Sequence, residues 1–406
     1  MRWPRSLWRK LKSAGEMTDK SGPAFSFFLS EKNMEVDEAS EIWGAFLPED
    51  RRMSPGRRRR VAYGDYFSAA RDCVEARLDR VLAPAISRKI GVSTRTADIE
   101  SVAVFLKKHG AFYHPARIEA RARGRVCAFV WNAAFSDAGK ARVKEEVRAL
   151  RALNAGPFPG FLPEVFDVGE IPAGAGGRLS FFLGEWFEGH SELHLSRRRD
   201  DSAGLKVWSE TGPRFFLSPK LEWEFYERSA FILTCFYNPE TFEQVFPWHH
   251  AAGDFIVKPM DGGLDVRLVT ARGRGALFGS EEPDPEAVFQ GLAFFWINLS
   301  IRTRLDRMDG TGETAWAGDR AAPAAWSGFL KALNEKERRG DMPPSAAGFR
   351  DYFSSLSRSD ILDMAMAVLG SYNPRAPDIP IIEKNMEAHA RLMADLMGPD
   401  PAPRGF

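Results

Sequence analysis

The sequence predicts a chain of the α+β class: a small antiparallel sheet carrying one helix, followed by a larger and mostly helical region. Three observations predict it. Between residues 99 and 190 the apolar spacing takes the form of strands, interrupted once by a helical stretch. Beyond residue 220, long segments with helical apolar spacing take over. The chain has 406 residues and 44% hydrophobic content, ample for a sizeable core.

Taken in order, residues 1–95 read as an N-terminal extension, mobile at first and then helical. Up to about residue 60 there are few periodic apolar positions, and the stretch ends in Arg51, Arg52 and the run Arg57 to Arg60 beside Pro55 and Gly56. That run reads as a solvated linker, with phosphate binding as the alternative. From Tyr66 to about Ile90, Phe67, Cys73, Val74, Leu78, Val81, Leu82 and Ile86 fall on one helical face. Residues 96–188 form the small β-rich region. SVAVFLKKHG, ARIEARARG and RVCAFVWNAAF are strands separated by Gly110, Pro115 and Gly124. KARVKEEVRALRALN is a helix with an apolar stripe of Val143, Val147, Leu150 and Leu153, ended by Asn154, Gly156 and Pro157. Two more strands follow, FLPEVFDVGEI and RLSFFLGEWFEG. Residues 189–406 form the mostly helical region. It has a strong helix in LEWEFYERSAFILTCFYN and a hairpin from Phe255 to Thr270. A helix at 286–307 is started by Asp284 and Pro285, and Ser357 with Asp360 starts one that ends at Gly370. Asp309 to Ala324 reads as a surface loop, and there is no internal repeat.

Lys plus Arg number 56 against 55 Asp plus Glu, so no field favours a specific nucleic acid. Cys73, Cys127 and Cys235 lie far apart and imply neither a disulfide framework nor a cysteine zinc site. Residues 2–12 interleave Arg and Lys with Trp3, Leu7, Trp8 and Leu11. They lack the apolar core of a secretory signal, and a frayed terminus or a weak peripheral membrane contact fits them. No run of about 18 apolar residues marks a spanning helix, and a cytoplasmic location is expected.

Three short local similarities carry a resemblance. EEVRALRAL, LGEWFEG, and WHHAAGDFIV followed by DVRLVTARG resemble parts of the protein-kinase-like superfamily, in its aminoglycoside and choline phosphotransferase branch. The order of elements is also similar over roughly residues 99–300. The resemblance implies a two-lobed fold binding ATP or another nucleotide with Mg2+ in an interlobe cleft. It places Glu146 as the helix glutamate that orients a phosphate-binding lysine, and the Glu185–Phe187 backbone, including Trp186, against an adenine ring. WHHAAGDFIV would be the catalytic loop, with Asp254 at the metal-binding asparagine and His249 at the catalytic aspartate.

The departures are as informative. The strand lysine falls on Asn132, which carries no charge for the phosphates. The metal-binding aspartate after the hairpin falls on Thr270 or Ala271, and Gly110 stands nearly alone where a glycine-rich loop belongs. His249 would serve as base and Asp254 as a magnesium ligand, while Lys258, Arg267, Arg272 and Arg274 supply positive charge. Two functions remain open: an atypical phosphotransferase acting on a small hydroxyl-bearing molecule, and a pseudokinase-like binding or regulatory protein without the chemistry. Loop residues His249, His250 and Asp254 also form a possible transition-metal set, weighed against simple hydrogen-bonded histidines. His190 and His194 in HSELH are four apart and would share a helix face, but match no zinc signature. The glycines of RLVTARGRGALFG match no dinucleotide fingerprint. The aromatics Phe181, Phe182, Trp186, Phe187, Trp223, Phe225, Phe231 and Phe236 read as core before they read as a pocket lining.

Overall fold

The computed structural model describes residues 22–29, 34–48, 61–110, 112–174, 177–209, 212–246, 248, 251–276, 285–342 and 345–397. The basic segment at 2–12, the arginine run at 57–60, His249 and His250 lie outside them. The chain is a mixed α+β protein that divides into two compact units, residues 1–143 with 166–186, and residues 144–165 with 187–406.

The first unit holds strands β1 (Ala24–Leu29), β2 (Met34–Val36), β3 (Ile99–Leu106), β4 (His114–Ala122), β5 (Arg125–Ala134), β6 (Val165–Ala173) and β7 (Gly177–Glu185). They form one sheet in the order β2-β1-β3-β4-β5-β7-β6. β1 runs parallel to β3, with Ala24 opposite Ser101 and Leu29 opposite Leu106. An unstructured reading of residues 1–60 is therefore corrected for this segment. AFSFFL is a six-residue strand, apolar but for Ser26, and its partner lies 77 positions away (101 − 24), where no local pattern reveals it.

Strand alternation sends every second residue to one face. On that face Val104, Ile118, Phe129, Trp131 and Phe181 pack against Tyr66, Phe67, Cys73 and Val74 of helix α1 (Tyr63–Glu75). Tyr66 meets Trp131 edge-on at 5.1 Å, and its hydroxyl donates to the His114 carbonyl at 3.0 Å. The single helix expected over 66–90 is two, α1 and α2 (Ala83–Ile90), joined by a π-helical turn at Leu78–Leu82. Pro84 explains the restart, because it has no N–H to continue a helix yet fits a first turn. Arg77, at the break, pairs with Asp167 and lies over the Phe181 ring.

Helix α3 (Asp137–Asn154) begins in the first unit and continues into the second from Lys144. The second unit contains β8 (Ser191–Arg197), β9 (Ala203–Trp208), β10 (Phe215–Phe216), helix α4 (Pro219–Cys235), β11 (Gln244–Val245), a helical turn at Ala251–Asp254, β12 (Phe255–Met260), β13 (Gly263–Leu268) and β14 (Arg274–Gly275). Helix α5 (Pro285–Thr303), β15 (Leu305–Arg307), β16 (Thr314–Trp316) and helices α6 (Ala321–Arg338), α7 (Ala346–Ser355), α8 (Arg358–Gly370) and α9 (Ile379–Met397) complete it. Five strands form a sheet ordered β10-β9-β8-β12-β13.

HSELH thus lies in and just before a strand, not on a helix. The alternation of buried Leu193 and Leu195 is the signal that prevails. The helix expected at 286–307 stops at Thr303, and the surface loop expected after it contains β16 and the start of α6. The expected hairpin at 255–270 is present as β12–β13. Cys73, Cys127 and Cys235 are free and buried, and Phe181, Phe182 and Phe225 are core residues.

Helices α4 and α6 meet at Gly328, where an added Cβ would collide with the Glu227 main-chain oxygen. Alanine elsewhere in a helix gains up to about 1 kcal/mol over glycine. Here Gly328→Ala is expected to reverse that sign and lose about 1–3 kcal/mol by overpacking, measured by urea denaturation.

Two buried imidazoles give the fold a pH dependence. His114 is pushed down from 6.5 to about 4 by burial and then by the charge of His109, whose Nδ1 lies 3.0 Å from its own. His389 is pushed down from 6.5 to about 3 by burial and then by Arg304. Below 6.5 the unfolded chain takes up protons that the folded chain refuses, so stability rises with pH across this window and falls on acidification. Each group contributes at most about 1.4 kcal/mol per pH unit. The unfolding free energy should decline between pH 6.5 and about 5, above the carboxylate range, and His114→Gln should make the decline shallower.

Candidate functional site

The β12–β13 hairpin pairs Phe255 with Leu268 and Met260 with Gly263, so the residues just before and just after it lie side by side. The Val269 N–H donates to the Asp254 carbonyl at 3.0 Å. Three residues farther on, Arg272 donates through Nη1 and Nη2 to both oxygens of the Asp254 carboxylate, at 2.8 and 2.7 Å. Asp254 is 1% exposed. Between these contacts, the Thr270 hydroxyl donates to the Glu146 carboxylate on α3, also 1% exposed. The Leu268 N–H reaches the Phe161 carbonyl at 3.0 Å, tying the hairpin to the segment that follows α3. All of these groups belong to the second unit.

This arrangement unites Glu146, Thr270, Arg272 and Asp254, drawn from a helix and the two flanks of one hairpin. A bidentate guanidinium–carboxylate pair is planar and directional, and it satisfies both oxygens of a carboxylate that burial would otherwise leave uncompensated. The Glu146 carboxylate is met by a neutral hydroxyl where the resemblance implies a lysine.

The other expected site residues are distributed as follows. Lys258 lies four residues along β12 from Asp254, opposite Asp265 in the register, and is not part of this cluster. Arg267 pairs with Asp265 at 2.9 Å and also donates to the Gly160 carbonyl, while Arg274 pairs with Glu243 at 2.9 Å. Asn132 is buried on β5 in the first unit, and its Oδ1 has no hydrogen-bond partner there. Glu185 ends β7. The Trp186 carbonyl accepts from Lys89 at 3.2 Å, and Lys107 and Arg117 lie over the Trp186 ring. The Phe187 carbonyl accepts from the His190 N–H. Two carbonyls of the segment assigned to an adenine ring are thus already engaged.

His190 lies 3.2 Å from the Asp265 carboxylate and His194 lies 3.3 Å from that of Asp306, so the two histidines face different carboxylates and do not form a common ligand set. Burial lowers the His190 pKa, against the raising effect of Asp265. Among the described residues no three His, Cys, Asp or Glu side chains gather as a metal-binding group. The residues described do not fit Mg2+ well: its preferred ligands are carboxylate oxygens and water, and both Asp254 oxygens face Arg272.

No protein-family profile matches the chain, and no curated protein does. Among solved structures, one described as "WaaP in complex with acyl carrier protein" is similar with a TM-score of 0.27 and 12% identity, covering 66% of this chain and 88% of that one. Among the described residues no helix is long and apolar enough to cross a membrane.

Arg272→Met strips the guanidinium from a buried carboxylate and should cost about 3–5 kcal/mol. Asp254→Leu combined with Arg272→Met removes both charges and should regain most of that loss. Urea denaturation of the two single variants and the double variant measures the coupling.

Proposed function

We propose that this chain is a protein-kinase-like binding or regulatory protein that has exchanged metal-dependent phosphoryl transfer for a structural ion pair. The observation that carries the reading is the Arg272–Asp254 pair, with a guanidinium bonded to both oxygens where the kinase-like pattern uses a metal ligand. Phosphoryl transfer needs cations aimed at the triphosphate and usually a base. On the resemblance Asn132 falls where the lysine belongs and Thr270 or Ala271 where the turn aspartate belongs, while the Thr270 hydroxyl donates to Glu146.

The ligand proposed for it is ATP or another nucleotide. Support for that comes from the resemblance of EEVRALRAL, LGEWFEG and the segments flanking the hairpin. The second reading, an atypical phosphotransferase acting on a small hydroxyl-bearing molecule, is favoured by the Asp254 carboxylate itself, which would be a ligand for Mg2+ if Arg272 moved off it.

Thermal unfolding with ATP, with and without magnesium, together with ADP release, separates these readings. The binding protein is stabilised by ATP to the same degree with or without magnesium and forms no ADP. Magnesium-dependent ADP formation that disappears in Asp254→Asn would establish the transferase instead. An unchanged midpoint with every nucleotide would refute both.

A further inference from the structure

The connection between β3 and β4 folds back on itself, with the Lys107 N–H donating to the Pro115 carbonyl at 3.0 Å and the Gly110 N–H to the Tyr113 carbonyl at 3.1 Å. That turn sets His109 across from His114, the first residue of β4. Their Nδ1 atoms lie 3.0 Å apart, and the two rings are inclined at 72°. His114 is 4% exposed, whereas His109 is exposed. On the far side of the His109 ring, the Tyr63 hydroxyl of α1 lies 3.3 Å from Nε2, so the ring keeps its Nδ1 edge toward His114. All three residues belong to the first unit.

We propose that His109 and His114 form a two-imidazole chelate for a divalent transition metal of tetragonal preference, Ni2+ or Cu2+, held through both Nδ1 atoms. Imidazole nitrogen is a donor that such ions favour. Two nitrogens each about 2.0–2.1 Å from one ion lie about 2.9 Å apart at a right angle and about 3.3 Å apart at the tetrahedral angle. The spacing here is nearer the first. The ion takes the place of the proton between the two nitrogens, which moves to Nε2 of the same neutral ring. His109 then donates its Nε2–H to the Tyr63 hydroxyl, the kind of outer contact that orients a ligating histidine. Burial keeps His114 neutral, so its lone pair is open to a metal without loss of a proton. His109, exposed and on the connection, swings to admit the ion, while His114 stays against Tyr66 and Phe135. Water supplies the remaining positions, since no third His, Cys, Asp or Glu joins the pair among the described residues. The competing account is a plain N–H···N hydrogen bond between two imidazoles.

The test uses the full chain with His249→Gln and His250→Gln, which removes the adjacent loop histidines as a competing chelate. Ni2+ titrated calorimetrically should bind one to one and raise the unfolding midpoint. His109→Gln, at an exposed position where folding is preserved, should weaken binding by at least about 10- to 100-fold, the cost of losing even an outer contact of a metal site, and abolish the midpoint shift. Cu2+ bound to the same protein should show spin-resonance coupling to two nitrogens. No Ni2+ binding, or a Cu2+ spectrum without coupling to two nitrogens, would overturn the site. Binding undiminished in His109→Gln would overturn it too and mark an adventitious ion only.

Discussion

The contact between Asp254 and Arg272 sets the rest of the second unit's candidate site. A carboxylate withdrawn from water is costly unless its charge and both its oxygens are met, and only a planar fork meets both at once. The hairpin makes this possible, because β12 and β13 bring the residue before it within reach of the residues after it. Once Arg272 is anchored, Thr270 lies two residues earlier in the chain and reaches Glu146. One ion pair and one hydroxyl thereby connect a helix and both hairpin flanks. The same economy restricts chemistry, since a carboxylate committed to a guanidinium is not open to a metal without separating the pair.

The first unit depends on a different constraint. Its sheet buries one face under α1 and α2, and the Tyr66–Trp131 contact lies at the centre of that packing. Polar groups there have defined partners: Tyr66 on the His114 carbonyl, and Arg77 on Asp167 and the Cys73 carbonyl. Burial also holds the Cys73 thiol up at about 12, so it packs as an apolar group.

Much of this was legible in the sequence where apolar periodicity was strong. Strands β3 to β7, helix α3 and the 255–270 hairpin follow from spacing and turn residues alone. What periodicity missed is what distant residues decide. β1 owes its conformation to β3, far along the chain. β8 and β9 lie at the start of the region that read as mostly helical, and the alternation at Leu193 and Leu195 is what marks β8 as a strand. The site was legible as a set of positions but not as a set of bonds. Arg272 read as a cation for phosphate, and that a nearby carboxylate would claim it depends on side-chain geometry.

Manganese is a paramagnetic substitute for magnesium, and the spin-resonance signal of free Mn2+ titrated with ATP reports whether the protein adds a metal ligand to the bound nucleotide. With Arg272 holding both Asp254 oxygens, the wild-type protein should bind ATP and Mn2+–ATP equally and so leave the affinity of Mn2+ for ATP unchanged. An affinity raised by the wild-type protein and returned to the protein-free value by Asp254→Asn would contradict the central claim.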